Sequence, residues 1–262
     1  MRIFYFQVDA FTAQTFGGNP AGVCVLGQWF SDDILQRVAA ENNLSETAFF
    51  THEADHYHLR WFTPTMEVDL CGHATLASAF VLFFELGYGG DQVRFESRSG
   101  TLAASRRGDL IELDFPSRPP VPCVAPKELV RALRREPREV LVSRDYVAVF
   151  DSQEEVSSLV PDMEALMQLD RVGVIVTARG SDADFVSRFF APRAGIPEDP
   201  VTGSAHCSLI PFWAERLGRT ELFARQISRR GGELFCRLAG ERVAIGGRAI
   251  VYNRGVIEIP DI

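Results

Sequence analysis

The second half of this 262-residue chain repeats the first half, which restricts the fold to one built from two similar units. Arg60-Trp61-Phe62-Thr63-Pro64 matches Arg188-Phe189-Phe190-Ala191-Pro192 at an offset of 128 residues (188 − 60). Gly72 matches Gly203 at an offset of 131 residues (203 − 72), and this offset persists through the apolar segment that follows. An ordered series of matches at a nearly constant offset indicates an internal repeat.

Each half combines strand-like segments with one long apolar segment. Residues 74–86 are apolar on nearly every face, which is typical of a helix enclosed by other elements. The proline-rich stretch 116–126 is the best candidate linker. We predict an α+β fold with two pseudo-symmetric lobes, each a mostly antiparallel β-barrel around a central buried helix. The N-terminal lobe would span 1–116 and the C-terminal lobe 117–248, with a closing strand at 249–262 that can return to the first lobe.

Composition excludes several classes of protein. A hydrophobic content of 46% is enough to build a core, and a net charge of -8 argues against nucleic acid and anionic membranes as main partners. The five cysteines are odd in number and form no CxxC pair, which suits a reducing compartment. No apolar run is long enough to cross a bilayer, and the first residues do not have the layout of a signal peptide. We therefore expect a soluble, cytoplasmic protein.

Two equivalent motifs occupy the predicted starts of the two buried helices. Cys71-Gly72-His73 in the first half corresponds to Thr202-Gly203-Ser204 in the second. Helix N-termini present unpaired N–H groups and a partial positive charge, and glycine lets a ligand approach the backbone closely. The pair of motifs predicts a binding site for a small carboxylate in a cleft between the lobes. The alternative is a pair of ordinary helix caps in a packed interface.

Glu46 breaks the symmetry of the repeat, because its equivalent in the second half is Gly173. A glutamate at the end of an apolar strand is partly buried, and burial raises the pKa of a carboxyl group toward values that suit proton transfer. The alternative is a surface or capping glutamate. Asp199 lies beside the three-residue insertion of the second half, where it either orients His73 or the substrate, or closes a turn before Pro200.

Other catalytic motifs are weak in this sequence. His52-Glu53-Ala54-Asp55-His56 matches the HExxH pattern of zinc proteases, but it bridges two strand-like runs instead of lying on one helical face. Ser204 and His206 lack a GxSxG motif, and residues two apart on a helix do not face each other. There is no GxGxxG fingerprint and no P-loop. We predict no organic cofactor and no metal.

Four motifs together resemble the PhzF-type phenazine-biosynthesis isomerase family, which shares the diaminopimelate-epimerase fold. They are Phe16-Gly17-Gly18-Asn19-Pro20-Ala21-Gly22-Val23, Leu44-Ser45-Glu46-Thr47-Ala48-Phe49, Cys71-Gly72-His73-Ala74-Thr75 and Asp199-Pro200-Val201-Thr202-Gly203-Ser204-Ala205-His206. The resemblance implies a homodimer in which a glutamate moves a proton without cofactor or metal. It places that glutamate at Glu46, and the other active-site residues at His73, Asp199 and Ser204.

The related epimerases use two cysteines as opposed bases, whereas this chain has Cys71 at the first position and Thr202 at the second. A threonine hydroxyl is far too weak an acid to replace a thiolate. We therefore predict a cofactor-independent isomerase that acts on a small carboxylate. Glu46 is the general acid/base, assisted by His73, Asp199 and Ser204. The predicted substrate contacts are Asn19, Cys71, Gly72, Thr202 and Gly203. The alternatives are an amino-acid racemase or epimerase that uses Cys71, and a non-catalytic, protein-binding member of the family.

Overall fold

A computed structural model describes residues 2–53 and 55–259 of the chain. The backbone forms two compact units: unit 1 comprises Met1–Asp114 and Gly246–Ile262, and unit 2 comprises Phe115–Ile245. The predicted closing strand 249–262 includes residues 260–262, which lie outside the described residues. The predicted lobes 1–116 and 117–248 stay a prediction.

Strands dominate both units, and the helices are few. The strands are β1 Arg2–Ala10, β2 Asn19–Leu26, β3 Glu46–Glu53, β4 His56–Phe62, β5 Glu67–Val68, β6 Gln92–Ser97, β7 Gly100–Arg107, β8 Leu110–Pro116, β9 Val121–Pro122, β10 Glu139–Val142, β11 Tyr146–Val149, β12 Val174–Arg179, β13 Phe185–Ala191, β14 Ile196–Asp199, β15 Glu221–Gln226, β16 Gly232–Ala239, β17 Arg242–Gly247 and β18 Ala249–Glu258. The α-helices are α1 Asp32–Asn42, α2 Gly72–Phe80, α3 Lys127–Leu133, α4 Gln153–Ser158, α5 Met163–Leu166 and α6 Gly203–Leu217.

Strand pairing confirms the predicted α+β class with mostly antiparallel sheet. In unit 1, β1 pairs antiparallel with β2 and β18, β2 runs parallel to β3, and β3 pairs antiparallel with β4. In unit 2, β11 runs parallel to β12, and β12 pairs antiparallel with β13. That each unit forms a closed barrel stays a prediction.

The register of the strands confirms the internal repeat. In unit 1, Tyr57 of β4 pairs in parallel with Phe95 of β6. In unit 2, Phe185 of β13 pairs in parallel with Ala224 of β15, at offsets of 128 (185 − 57) and 129 (224 − 95). The three-residue difference predicted before the second helix coincides with a short 3₁₀ turn, Pro192–Ala194, between β13 and β14.

Each unit also contains the same ion pair. Arg60 Nε lies 2.7 Å from Glu67 Oε1, and Arg188 Nε lies 2.7 Å from Glu198 Oε1. Both guanidinium groups use a second nitrogen on the same carboxylate, and each also lies over an aromatic ring. A bidentate pair of this kind fixes geometry as well as adding energy. It joins β4 to β5 in unit 1 and β13 to β14 in unit 2, directly before the two glycine-led helices.

The helix of unit 1 is buried, as the sequence predicts, but it does not stay α-helical to its end. Every residue from His73 to Ala79 is buried. The next five residues, Val81–Glu85, form a π-helical turn. Thr75 Oγ1 and Ser78 Oγ donate to carbonyls one turn earlier, which is typical of polar side chains inside an apolar helix. Among the described residues, no helix is both long and apolar enough to span a membrane.

Unit 2 has no space for a side chain at the position equivalent to Glu46. Phe62 pairs with Thr47 in unit 1, and Phe190 pairs with Val174 in unit 2, so the residue before Val174 is the counterpart of Glu46. That residue is Gly173. A Cβ atom there would lie 2.9 Å from Asp145 Oδ1 and closer still to the ring of Phe189. The asymmetry in the sequence is therefore also an asymmetry in packing.

We expect Gly173→Ala to destabilise the protein by about 1–3 kcal/mol, because the added methyl group displaces a buried aromatic ring. Gly27→Ala is the control, since no heavy atom lies within 4 Å of its added Cβ. Urea unfolding of both variants measures the difference. Equal stability of the two variants would show that Phe189 yields without cost and would contradict the packing argument.

Candidate active site

The starts of β2, β3 and α2 bring four predicted site residues of unit 1 together. Asn19 is the first residue of β2 and Glu46 the first residue of β3. The two strands are parallel neighbours, with Ala21 paired to Glu46. Cys71 is the N-cap of α2, and His73 is its second residue. Asn19 and His73 are 54 residues apart in the sequence, and the pairing of β2 with β3 brings these residues close together.

His73 is the centre of this cluster. Its Nδ1 lies 3.2 Å from Asn19 Nδ2 and 3.5 Å from Cys71 Sγ. Its Nε2 lies 3.3 Å from Glu46 Oε2. The imidazole therefore lies with the amide and thiol on one side and the carboxylate on the other.

The environment keeps His73 neutral. Its side chain is only 6% exposed, and burial lowers the pKa of His73 to about 3. A neutral imidazole has one N–H donor and one acceptor nitrogen. Because the Asn19 amide nitrogen is a donor, Nδ1 is the acceptor, and the ring proton belongs on Nε2. That proton points toward the carboxylate of Glu46.

Glu46 is held in a largely dry position. Its side chain is 13% exposed, although the residue begins a strand. The strand continues into a buried apolar run from Thr47 to Thr51, which places the carboxylate at the border between core and solvent. A carboxylate in such a position can exchange protons with a ligand while it keeps a fixed orientation. The Glu46 side chain is therefore not that of an exposed surface residue.

The N-terminus of α2 adds backbone donors to the cluster. Cys71 has an extended backbone, and no side chain caps the helix at this residue. The first N–H groups of a helix have no carbonyl partner within the helix. Gly72 leads the helix, and the absence of a Cβ leaves the backbone open to close approach. This end of α2 therefore has the donors that an anion requires.

A different network surrounds the equivalent helix of unit 2. Thr202, the N-cap of α6, donates from Oγ1 to Asp199 Oδ2 at 2.6 Å. Its backbone N–H donates to Gln226 Oε1 at 2.9 Å. Gln226 Nε2 in turn donates to the carbonyl of Asp199 at 2.8 Å and to Thr202 Oγ1 at 3.1 Å. Asp199 is thus a structural partner of Thr202 within its own unit, and the orientation of Asp199 is fixed.

Gly203 and Ser204 form the first turn of α6, as predicted. Gly203 is buried and Ser204 is half-buried. The Thr202 side chain makes no capping hydrogen bond to the helix, and the first N–H groups of a helix have no carbonyl partner within it. The structure therefore places Thr202, Gly203 and Ser204 where the sequence predicts them.

Gln226 is a residue of the candidate site that sequence reasoning misses. It is 1% exposed, and it makes three of the hydrogen bonds that fix Asp199 and Thr202. Its counterpart in unit 1 is Ser97, since Ala224 corresponds to Phe95. The sequence does show an amide at this position where the other repeat has a small hydroxyl. Its hydrogen-bond partners, however, lie 24 or more residues away in the chain, so the sequence does not show what the amide binds.

Two further histidine motifs have structural explanations. His52 and Glu53 lie on β3 and His56 lies on β4, so the HExxH match spans a hairpin instead of one helical face; Ala54 lies outside the described residues. His206 Nδ1 lies 2.8 Å from the carbonyl of Thr202, to which it donates as a neutral ring. His206 is therefore anchored to the backbone and does not activate Ser204.

The chain matches known proteins along almost its whole length. A family model described as "Phenazine biosynthesis-like protein" matches residues 8–255. A protein of Pseudomonas aeruginosa named as an uncharacterized isomerase is 50% identical over 259 residues, which are 99% of this chain and 100% of that protein. The crystal structure of a PhzF-family protein from Enterococcus faecalis is 47% identical, covers 99% of this chain and 100% of that chain, and superposes with a TM-score of 0.97.

A more distant structure supports the expected epimerase-like fold. A hydroxyproline epimerase from Agrobacterium vitis is 12% identical, covers 99% of this chain and 93% of its own, and has a TM-score of 0.62. At this identity the likeness shows the fold alone.

We expect the free energy of unfolding to fall as the pH is lowered from about 7 to about 4. Burial lowers the pKa of His73 to about 3 and of His206 to about 4, whereas an unfolded histidine titrates near 6.5. Between these values the unfolded chain binds more protons than the folded chain, so each histidine removes up to about 1.4 kcal/mol per pH unit.

Urea unfolding of the wild type and of His206→Asn at pH 7, 6 and 5 measures the slope. His206→Asn should have a smaller slope, because the contribution of His206 to the pH dependence of the free energy of unfolding is removed. His52→Asn, at an exposed position, should keep the slope of the wild type. Identical slopes in the wild type and His206→Asn would contradict the assignment.

Proposed function

We propose, from the premise that this chain belongs to the family of phenazine biosynthesis-like (PhzC–PhzF) proteins, that it is a cofactor-independent isomerase. Relatives that are named isomerases support an isomerase-type function. The substrate is a small carboxylate on which a proton is moved from one atom to another.

Glu46 is the general acid and base of the proposed reaction. The observation that carries this assignment is the position of its carboxylate: largely buried, 3.3 Å from His73 Nε2, and without a counterpart in unit 2, where Gly173 is packed against Phe189. A single carboxylate can take a proton from one atom of a bound substrate and return it to another. No second base is then required. General acid–base catalysis of this kind contributes about 10²–10⁴-fold to a rate.

His73 positions Glu46 and responds to its charge. With Nδ1 accepting from Asn19, the Nε2 proton is directed at the glutamate when the glutamate is ionised. A proton on Nε2 at this 3.3 Å distance favours the charged form of the carboxylate. Because burial keeps the imidazole neutral, His73 does not compete for the proton that Glu46 moves.

In this proposal the N-termini of α2 and α6 bind the carboxylate of the substrate. The first-turn N–H groups at Gly72 and Gly203, together with the Ser204 hydroxyl, have the donor character that a carboxylate needs. Asn19 and Cys71 border the Glu46 side of the site, and Thr202 borders the Ser204 side. Asp199 and Gln226 hold Thr202 in place. That both units act on one substrate molecule is part of the proposal and is tested by variants in each unit.

An amino-acid racemase or epimerase is the second candidate, and the contact of Cys71 Sγ with His73 Nδ1 at 3.5 Å favours it. A two-base mechanism needs a second acid of comparable strength. Thr202 is at that position, and its hydroxyl donates to Asp199. The Cys71 mechanism therefore requires a different second base, whereas the Glu46 mechanism requires none.

We expect purified wild-type protein to catalyse proton exchange on a small carboxylate in heavy water, and Glu46→Gln to lose at least about 100-fold of that rate. The substrate is first found by incubating a metabolite extract and detecting deuterium uptake by mass spectrometry. Ser204→Ala should mainly raise the KM for the carboxylate, since it removes one donor. Glu53→Gln, an exposed glutamate on the same strand, is the matched control and should keep full activity.

Each alternative gives a distinct result in this experiment. Full activity in Glu46→Gln sinks the assignment of the glutamate. Deuterium at the Cα of an amino acid, together with loss of activity on thiol alkylation, identifies the Cys71 mechanism. A folded wild-type protein that exchanges no proton on any component, and captures a protein partner equally well with Glu46→Gln, identifies the non-catalytic member of the family.

We also propose that the protein is a cytoplasmic homodimer, as the resemblance implies. Apolar side chains on unit 1, Phe4, Phe16, Tyr252 and Val256, are exposed, and Phe4 pairs with Val256 across β1 and β18. Exposed apolar groups close together often mark an interface. Light scattering should give twice the monomer mass for the wild type and the monomer mass for Phe4→Glu. A monomeric wild type would contradict the proposal.

A further inference from the structure

The geometry points to a binding site for Zn²⁺ formed by Glu46, Cys71 and His73 of unit 1, at which the cation inhibits the enzyme. One ligand atom from each residue lies within 4.8 Å of the other two. No other group of three such residues this close together is found in the described parts of the chain. The inhibitory consequence rests on the proposed function of Glu46, whereas the binding site itself does not.

The three side chains are a carboxylate, a thiol and an imidazole, which are the three kinds of side chain that ordinarily bind zinc. Zinc bond lengths of about 2.0–2.3 Å place neighbouring donors of a tetrahedral site roughly 3.3–3.7 Å apart. The His73 Nε2–Glu46 Oε2 distance is 3.3 Å, and the Cys71 Sγ–His73 Nδ1 distance is 3.5 Å. These two contacts use opposite nitrogens of the ring, so a cation bound by Nε2 and Glu46 requires the Cys71 side chain to turn toward Nε2. One ligand atom of each residue lies within 4.8 Å of the other two before any such rotation.

Asn19 can fix the imidazole in the state that a metal requires. A coordinating histidine uses one ring nitrogen and donates the N–H of the other to an oxygen. Among the described residues, Nε2 of His73 has no hydrogen-bond partner of good geometry and faces Glu46. A half-turn of the Asn19 amide would place Oδ1 beside Nδ1, where it would accept a proton and leave Nε2 to the cation. Asn19 is completely buried, so this second interaction is shielded from water.

Charge balance also suits a divalent cation at this buried position. Cys71 is 7% exposed and His73 is 5% exposed, so a net charge here would be costly. An ionised glutamate and a thiolate together carry two negative charges, which Zn²⁺ neutralises. Binding must release the thiol proton of Cys71, as is general for zinc–cysteine sites. The fourth position is left for water or for a carboxylate ligand, as in an open zinc site.

A cation held in this way inhibits the proposed reaction directly. It occupies the carboxylate oxygen that would take the substrate proton, and it occupies the ring nitrogen that orients the carboxylate. The unit 2 helix has Thr202 at the position of Cys71, and the thiol further along that helix, Cys207, is buried and donates to the carbonyl of Gly203. Sensitivity to thiophilic cations is therefore a property of the unit that contains Glu46.

Cobalt substitution tests the site without any measurement of activity. Protein freed of metals by chelation and then titrated with Co²⁺ should develop visible bands of tetrahedral cobalt and a thiolate-to-cobalt charge-transfer band. Zn²⁺ should displace both. Cys71→Ser should lose the charge-transfer band, whereas Cys123→Ser, at a partly exposed thiol in unit 2, should keep it. A charge-transfer band that persists in Cys71→Ser would overturn the site.

Zinc affinity gives a second test with its own control. Competition with a chromophoric chelator should show one Zn²⁺ per chain, bound at least about tenfold more weakly by Cys71→Ser and Glu46→Gln. The hairpin histidines provide the rival site, so His52→Ala combined with His58→Ala should leave the affinity unchanged. Loss of binding in that double variant, or no stoichiometric binding in the wild type, would overturn the proposal. Zinc should also protect Cys71 of the wild type from iodoacetamide, measured by peptide mass spectrometry, which remains decisive if a variant fails to fold.

The failure of the zinc site and the failure of the proposed function have different signatures. Proton exchange that zinc does not inhibit, with no cobalt–thiolate band, removes the site and leaves the isomerase. A cobalt–thiolate band that depends on Cys71, in a protein that exchanges no proton with or without zinc, leaves the site and removes the proposed role of Glu46.

Discussion

The burial of one neutral imidazole organises the candidate site. His73 joins the beginnings of two parallel strands and a helix, because it faces Asn19 from β2, Glu46 from β3 and Cys71 from the start of α2. Burial disfavours a charged ring in this position and lowers the pKa of His73 to about 3. Neutrality leaves one donor and one acceptor on the ring. The acceptor nitrogen faces the Asn19 amide, and the donor nitrogen lies on the side of Glu46.

The two units share a scaffold and differ in the chemistry that they carry. The Arg60–Glu67 and Arg188–Glu198 pairs have the same 2.7 Å contact and the same place before a glycine-led helix. Directly after these pairs the units diverge. In unit 1 the residues around the helix start are a carboxylate, an imidazole and a thiol. In unit 2 they are a hydroxyl, a carboxylate and an amide that hydrogen-bond among themselves. The internal repeat therefore accounts for the shared backbone framework, whereas the side chains at the two helix starts differ between the units.

Sequence reasoning succeeds where local pattern and the repeat decide the structure. The offset between the halves is sufficient to place Gly72 and Gly203 at helix starts and to identify Glu46 as the residue whose counterpart is Gly173. It does not predict that the buried helix ends in a π-helical turn at Val81–Glu85. It also misses Gln226, because the importance of a buried amide depends on partners that only tertiary packing brings near.

The contrast between Cys71 and Thr202 shows how one position can change the chemistry of a repeated fold. Sulfur and oxygen occupy equivalent helix caps, but only the thiol has a pKa close enough to neutrality to ionise readily. In the structure the Thr202 hydroxyl donates to Asp199, so the residue at the second cap makes a structural hydrogen bond. The thiol of the first cap lies beside an imidazole and within reach of a carboxylate. A fold with a reactive base in each unit would be symmetric in chemistry. In this chain the thiol and the imidazole lie at the helix start of unit 1, whereas the carboxylate of Asp199 in unit 2 accepts a hydrogen bond from Thr202. The proposed proton transfer and the proposed sensitivity to thiophilic cations have a common origin, because both depend on the same carboxylate–imidazole–thiol group.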